Sequence, residues 1–289
     1  MSDGLLIVDK PAALTSHDVV QRIRRLTGIR RVGHAGTLDP LATGVLVICL
    51  GRATRLVEYV MGQSKRYEAT IRLGQETTTY DAEGEVVAER PVEVTSADLA
   101  AALAHFRGSI SQTPPMFSAL KVEGRPLYQL ARRQVIVERT PRPVTVYELI
   151  LRQWRPPFVQ LNLSCSAGFY VRSLAHDLGQ ALGCGAHLAA LRRTAVGSFT
   201  VAEAVALDTL TSENWPGYLQ SSEAAVSHLP RLILPEDETR RLQQGQKVAR
   251  QPDQIEGPTA SLYDPTGRFI GLVSLYHEFW QPAKILFPV

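Results

Sequence analysis

Residues 33–51 read GHAGTLDPLATGVLVICLG. Val45–Leu50 within it is an unbroken apolar run, too short for a helix and typical of a strand buried on both faces. Ahead of that run lie Gly33, Gly36 and Gly44, which permit backbone conformations and close approaches that other residues resist. Asp39 stands between Leu38 and Pro40, just before the strand. Read alone, an Asp-Pro pair is an ordinary turn former. The loop is no P-loop, because it lacks GK[ST] and no helix is expected to begin there. The chain also has neither a GxSxG elbow nor a Cys/His nucleophile pair.

Working outward, Gly4–Val8 is a short apolar strand ended by Asp9-Lys10-Pro11. Ser16 is the expected N-cap of a helix through Val19, Val20, Ile23 and Leu26, stopped by Gly28. Downstream, Arg52–Val60 is expected to be helical. Tyr67–Val87 alternates, with DAEG (81–84) as its turn, which predicts a hairpin. Ala97–Phe106 has a helical pattern. Thr113–Arg133 is a Pro-containing basic excursion with a short helix near Leu127–Arg132. Val144–Leu151 and Val159–Cys165 have the pattern of strands, and Val171–Leu182 that of a helix ending at Gly183. Strands outnumber helices and few pairs have βαβ spacing, so the fold class is α+β with a mixed, mostly antiparallel sheet. Pro, Ser and Glu around 208–230 suggest a linker, and 231–289 a small β-rich domain with a turn at DPTG (264–267).

The composition of this 289-residue chain, 45% hydrophobic and 20% charged, is that of a globular protein with a real core. No apolar stretch is long enough to span a bilayer, and the N-terminus lacks the basic leader of a signal peptide. Cys49, Cys165 and Cys184 are scattered, without CxxC or a His partner, and are expected to be buried thiols in a reducing cytoplasm. The net charge of +3 is unevenly spread. Residues 105–155 hold nine Lys/Arg against three acids, and 68–104 hold two against eight. Such a basic stretch suits a phosphate-bearing partner; a merely solvated basic face is the alternative.

The glycine-rich loop with its strand, Gly33 to Gly51, resembles the signature of the tRNA pseudouridine synthase B (TruB) family. Further segments resemble that family in the same order: Gly4-Leu5-Leu6 with Asp9-Lys10-Pro11, Lys65-Arg66-Tyr67 leading into RLGQETTTYDAEG, TPPMFSALKVEGRPLYQLAR (113–132), SAGFYVRSLAHDLG (166–179) and GAHLAALRRTAVGSF (185–199). The likeness covers roughly residues 4–205. It implies a pseudouridine synthase fold over 1–207, with an RNA-gripping insertion at about 108–143. A small PUA-like domain is implied for 231–289. The implied activity is that of a bacterial-type isomerase converting uridine at position 55, in the tRNA T loop, to pseudouridine. Neither cofactor nor metal is expected, nor a membrane or protein partner. A cytoplasmic monomer is implied.

Under that resemblance Asp39 is the catalytic carboxylate, acting at C1′, at C2′ or at C6 of the base. Each route needs one ionised Asp and no redox group. Tyr67 would stack on the flipped base and help move the C5 proton. Arg172 would pair with Asp39 and favour its anion. Tyr170 and Leu191 would complete the pocket wall. His34 would enter the space left by the everted base, and Lys10 and Lys121 would meet RNA phosphates or loop. Outside the resemblance, Tyr67, Tyr170 and Leu191 look like core, Arg172 like a helix-start arginine and His34 like a loop histidine. Thr78, Phe117, Gln134 and Arg55 depart from the family's usual Asp, Tyr, Gly and Lys. The rival functions are a non-catalytic RNA-folding protein on the same scaffold and a synthase acting on another RNA.

Overall fold

The first strand, β1 (Gly4–Lys10), and the strand following the glycine-rich loop, β3 (Thr43–Leu50), are both buried apolar runs, and they pair antiparallel. The computed structural model describes residues 3–287, apart from Ala119, Glu123, Arg132, Gln134, Ile136, Glu256 and residues 252–254. After β1 comes helix α1 (Ser16–Thr27), which turns Val19, Val20 and Ile23 inward. Its N-cap is Thr15, one residue before the expected Ser16, and Thr15 and Asp18 form a reciprocal capping box. Ser16 is thereby freed for the glycine-rich loop, where it bonds to Leu38. Gly28 ends the helix at φ 68°, a left-handed conformation that glycine adopts without a Cβ penalty. Strand β2 (Val32–His34) and β3 (Thr43–Leu50) flank the loop and pair antiparallel, with His34 opposite Ile48. The region expected as one helix over 52–60 is a 3-10 turn at Gly51–Leu56 followed by the short α2 (Val57–Met61).

Strand β4 (Lys65–Leu73) alternates buried and exposed side chains. It does not form one arm of a hairpin, as its alternation suggests. Instead it lies deep in the main sheet, while the DAEG turn joins two smaller strands, β5 (Gln75–Thr77) and β6 (Val86–Glu89). Helix α3 (Ser96–Ala104) and edge strand β7 (Gly108–Gln112) follow. The basic excursion holds the small pair β8 (Lys121–Val122) and β9 (Arg125–Pro126) and one turn of helix, α4 (Leu127–Ala131).

The long hairpin of β10 (Arg142–Arg155) and β11 (Phe158–Cys165) leads to helix α5 (Val171–Ala181). Strand β12 (Ala186–Val196), β13 (Phe199–Thr200) and β14 (Val205–Ala206) complete a ten-stranded sheet. Its order is β14-β1-β3-β12-β4-β11-β10-β7, with β2 on β3 and β13 on β12. Only β1–β14 and β3–β12 pair in parallel; the other neighbours are antiparallel. The parallel junction of β3 with β12 matters most, because it seats the end of the glycine-rich loop beside the strand carrying Leu191.

Residues 208–230, expected as a linker, are a run of 3-10 turns packed onto the sheet, with Leu210, Trp215, Ala225 and Val226 buried. The C-terminal part contains β15 (Arg231–Ile233), α6 (Glu236–Gln243), β16 (Val248–Ala249), β17 (Thr259–Tyr263), β18 (Phe269–Tyr276) and β19 (Phe279–Ile285). Its five-stranded sheet runs β15-β17-β18-β19-β16. One apolar cluster joins the two sheets: Leu5, Ile7, Val45 and Val47 of the first pack with Tyr263, Phe269, Leu272 and Leu286.

Candidate active site

Three separate anchors fix the backbone around Asp39. Ser16 Oγ donates to the Leu38 carbonyl at 3.1 Å and accepts from the Leu38 N–H at 2.8 Å. The Ala13 N–H donates to the Pro40 carbonyl at 2.9 Å. Lys10 Nζ donates to the carbonyls of Pro11, Leu14 and Pro40, at 2.9, 2.6 and 3.3 Å. Lys10 is fully buried. This corrects its expected role as a phosphate contact: the ammonium faces inward and braces the loop by gathering three carbonyls. Burial draws its pKa down to about 8, against the pull of the nearby Asp39.

The side chain of Asp39 meets Arg172 in the first turn of α5. Arg172 Nε lies 2.9 Å from Oδ2, and Nη2 donates to Oδ1 at 3.1 Å, a two-pronged grip that fixes the plane of the carboxylate. The guanidinium's other N–H groups reach the Phe117 carbonyl at 2.7 Å, the Thr79 carbonyl at 3.3 Å and Asp81 Oδ2 at 3.5 Å. Arg172 is 6% exposed and Asp81 4%, whereas the Asp39 side chain is 31% exposed. Asp39 is therefore the carboxylate of this trio that a substrate can reach. Burial raises its pKa above the ordinary value, Arg172 pulls it back, and Asp81 pushes it up again. Glu83 in the DAEG turn is raised too, by burial first and then by Asp81 and Asp39.

Tyr67 lies on β4 between its neighbours β12 and β11, opposite Arg193 on one side and Leu163 on the other. It is nearly buried, in the same apolar cluster as Leu38, Ala42 and Leu191. Burial pushes its hydroxyl up, and Arg193 draws it down. Leu191 precedes Arg193 by two residues and so shares its face of β12. Tyr170 is half-buried at the N-cap of α5. Its backbone is clamped by buried Gln112, whose amide accepts from the Tyr170 N–H at 2.8 Å and donates to its carbonyl at 3.0 Å. His34 is half-buried at the start of the loop. Its Nδ1 is buried without a hydrogen-bond partner among the described residues, and burial lowers its pKa, favouring a neutral ring. The side chain of Lys121 and all of Arg132 lie outside the described residues.

Sequence reasoning missed Asp81, Gln112 and Arg193 as contributors. Asp81 had a visible signal, as the acid retained three residues after Thr78, which stands where the family has another Asp. Gln112 and Arg193 had none beyond strand alternation, which does not say which face a polar residue occupies. The departures at 78 and 117 gain an explanation. Arg172 uses the backbone carbonyl of Phe117, so the missing hydroxyl costs that bond nothing. Thr78 Oγ1 accepts from the Glu85 N–H at 3.1 Å and closes the β5–β6 turn.

A mixed sheet carrying an arginine-gripped aspartate, with a tyrosine and a leucine on adjacent strands, defines the class of the molecule: it has the pseudouridine synthase fold. Comparison with known proteins agrees. The family "TruB family pseudouridylate synthase (N terminal domain)" matches residues 24–171, "tRNA pseudouridylate synthase B C-terminal domain" matches 172–239, and "Pseudouridine synthase II TruB, C-terminal" matches 230–275. A protein of Pseudomonas aeruginosa (strain UCBPP-PA14) named tRNA pseudouridine synthase B is 46% identical over 276 residues, covering 93% of this chain and 90% of that one. One of Haemophilus influenzae (strain 86-028NP) with the same name is 41% identical, covering 98% and 95%. Among solved structures, a chain from "Crystal Structure of a Cbf5-Nop10-Gar1 Complex" superposes with a TM-score of 0.76 at 25% identity, covering 99% of this chain and 85% of that one. The chain belongs to the TruB family.

Proposed function

We propose that this protein isomerises a tRNA uridine, the one at position 55 in the T loop, to pseudouridine, with Asp39 as the attacking carboxylate. The observation that carries the reading is the grip of Arg172 on a carboxylate that stays open to substrate. Uridine must lose its N1–C1′ bond, turn, and rejoin through C5. That exchange involves no net oxidation, and one positioned anion can hold the sugar meanwhile. The fork of Arg172 keeps Asp39 ionised and aimed, while Tyr67 and Leu191 offer an aromatic and an apolar surface to the uracil. Full names of the relatives point to tRNA as the substrate.

A uridine in a folded loop must leave its stack first, at about a few kcal/mol. His34, half-buried at the start of the loop that carries Asp39, offers a ring to fill the gap. The basic excursion, with Arg125 and Arg133 exposed, supports a grip on the RNA by this chain; the reading has it act as a cytoplasmic monomer without guide RNA or partner protein. No helix among the described residues is long and apolar enough to cross a membrane. The test is incubation with a T-arm hairpin followed by mapping of pseudouridine through carbodiimide-dependent primer stops. A stop at the T-loop uridine is expected. Tight binding with no stop would favour the RNA-folding alternative.

A further inference from the structure

Arg193 is 1% exposed and one of the largest fully buried side chains. On β12 it lies opposite Tyr67 of β4 on one side and Gly44 of β3 on the other. Its Nε donates to the Val45 carbonyl at 2.7 Å, Nη1 to Thr37 at 3.3 Å and Nη2 to Gly36 at 3.1 Å. Those carbonyls belong to the loop carrying Asp39 and to the strand after it. The approach is close because Gly44 has no side chain: a Cβ there would sit 2.2 Å from the Arg193 carbonyl oxygen. Arg193 enters none of the described ion pairs, in contrast to Arg172 with Asp39 and Arg192 with Asp9. A buried cation without a counter-ion is costly and is seldom kept without a use. Beyond those carbonyls, the side chains that act on its charge are Tyr67, its neighbour across the strands, and Asp39.

We propose that Arg193 is a positioning residue that acts through Tyr67, holding the phenol in place and supplying the positive charge against which Tyr67 gives up and regains a proton during isomerisation. The inference rests on the role given to Tyr67 in the proposed function. The proton balance is as follows. As a carboxylate oxygen of Asp39 bonds to C1′, the N1–C1′ bond breaks and leaves its pair on N1, and Tyr67 gives its phenolic proton to N1, directly or through water. The C5=C6 pair then bonds C5 to C1′ as the C1′–O bond to Asp39 breaks and returns its pair to the carboxylate; C5 becomes tetrahedral, and the N1 lone pair moves into C6=N1. The phenolate takes the C5 proton, the C5–H pair re-forms C5=C6, and the former C6=N1 pair stays on N1. Tyr67 is restored as a phenol, and the net change is one proton moved from C5 to N1. The phenolate exists only between these two steps, and Arg193 is the cation placed to stabilise it.

The other groups near this pair come from several elements. Cys165 on β11 faces Tyr67, with its thiol pushed up to about 12 by burial. Lys10, His34 and Lys65 each feel the Arg193 charge, and Lys10 and Lys65 are drawn down to about 8. These lysines would distort an alkaline pH profile, so the informative readout is an isotope effect at fixed neutral pH. The experiment measures single-turnover rates on a T-arm hairpin whose target uridine carries hydrogen or deuterium at C5. Arg193→Met should slow the reaction by roughly 10²-fold and raise kH/kD above the wild-type value, because removal of the C5 proton becomes limiting. Arg193→Lys, which keeps the charge, should return kH/kD towards wild type. Variants are compared only where melting is cooperative and RNA affinity is preserved; if Arg193→Met does not fold, Arg193→Gln takes its place. A slowed neutral variant with wild-type kH/kD would overturn the inference and leave Arg193 a purely structural rivet. Tyr67→Phe separates the two layers. Turnover within about tenfold of wild type would remove Tyr67 from proton transfer and the role of Arg193 with it. An inactive Tyr67→Phe, beside an unchanged kH/kD in Arg193→Met, would remove the Arg193 role alone.

Discussion

The guanidinium of Arg172 has five N–H groups, and each has an oxygen to meet: two on Asp39, one on Asp81 and the carbonyls of Thr79 and Phe117. Arg172→Met would strand all of them, and losing one partner of such a pair typically costs about 3–5 kcal/mol. Single-turnover catalysis should therefore fall far more than RNA affinity. The pH dependence has a definite sign. Asp39 is held above its ordinary value of 3.8 by burial, while Arg172 pulls it down. Catalysis needs the anion, so the acid limb of the rate profile lies above 3.8 in the native protein and moves to still higher pH once Arg172 is gone. A limb that stays put in Arg172→Met would contradict the pairing. His34→Ala makes a different demand. If its ring fills the gap left by the everted base, the loss should be much larger for a uridine in the T loop than for the same uridine in a relaxed single strand. Equal losses would make His34 a support for the protein's own loop. At this scale Asp39 and Arg172 were legible through a resemblance of whole motifs. Arg193 was not, since in the pair Arg192-Arg193 nothing local says which side chain turns inward. Arg192 is half-exposed and pairs with Asp9 at 2.7 Å; Arg193 is buried.

Among elements, the decisive one is the loop between β2 and β3, a segment without regular structure that is nonetheless fixed at many points. Lys10 at the end of β1 ties Pro40 to Pro11 and Leu14. Ser16 in the first turn of α1 ties Leu38. Lys10→Met should lose about 3 kcal/mol of stability, the scale of a charge-assisted hydrogen bond lost and carbonyls left unsatisfied. Thermal or denaturant unfolding reads this directly. Stability unchanged from wild type, with RNA affinity reduced instead, would restore Lys10 as a phosphate contact. Element types were largely legible, because the apolar run of β3 and the heptad-like spacing of α1 are local properties. The hairpin expected over 67–87 was not. Alternation in β4 shows that one face is buried, but only tertiary pairing makes its neighbours β11 and β12 rather than β6. The N-cap shifted by one residue for a similar reason: Thr15 and Ser16 are both good caps, and Ser16 is taken by Leu38.

For the whole molecule, the apolar cluster spanning both sheets makes the C-terminal part a structural partner of the catalytic sheet. Leu5, Ile7, Val45 and Val47 are all buried, and Tyr263, Phe269, Leu272 and Leu286 pack in the same cluster. A chain ending at residue 230 should therefore melt at a markedly lower temperature or aggregate, since large apolar side chains each contribute about 1.5–3 kcal/mol when buried. A truncated chain with the full-length melting temperature would show the two parts to be independent. The sequence read 208–230 as a linker because its Pro, Ser and Glu content is that of loops; its buried Trp215 and Leu210 become visible only when the sheet they cover is in place. All of this architecture serves one claim: binding of the folded RNA is spread over many contacts, while its chemistry depends on one anion. Asp39→Asn tests that claim most directly, with T-arm RNA affinity and single-turnover pseudouridine formation measured on the same preparation. The expected result is affinity close to wild type with no pseudouridine formed; turnover within about tenfold of wild type would remove Asp39 from the reaction.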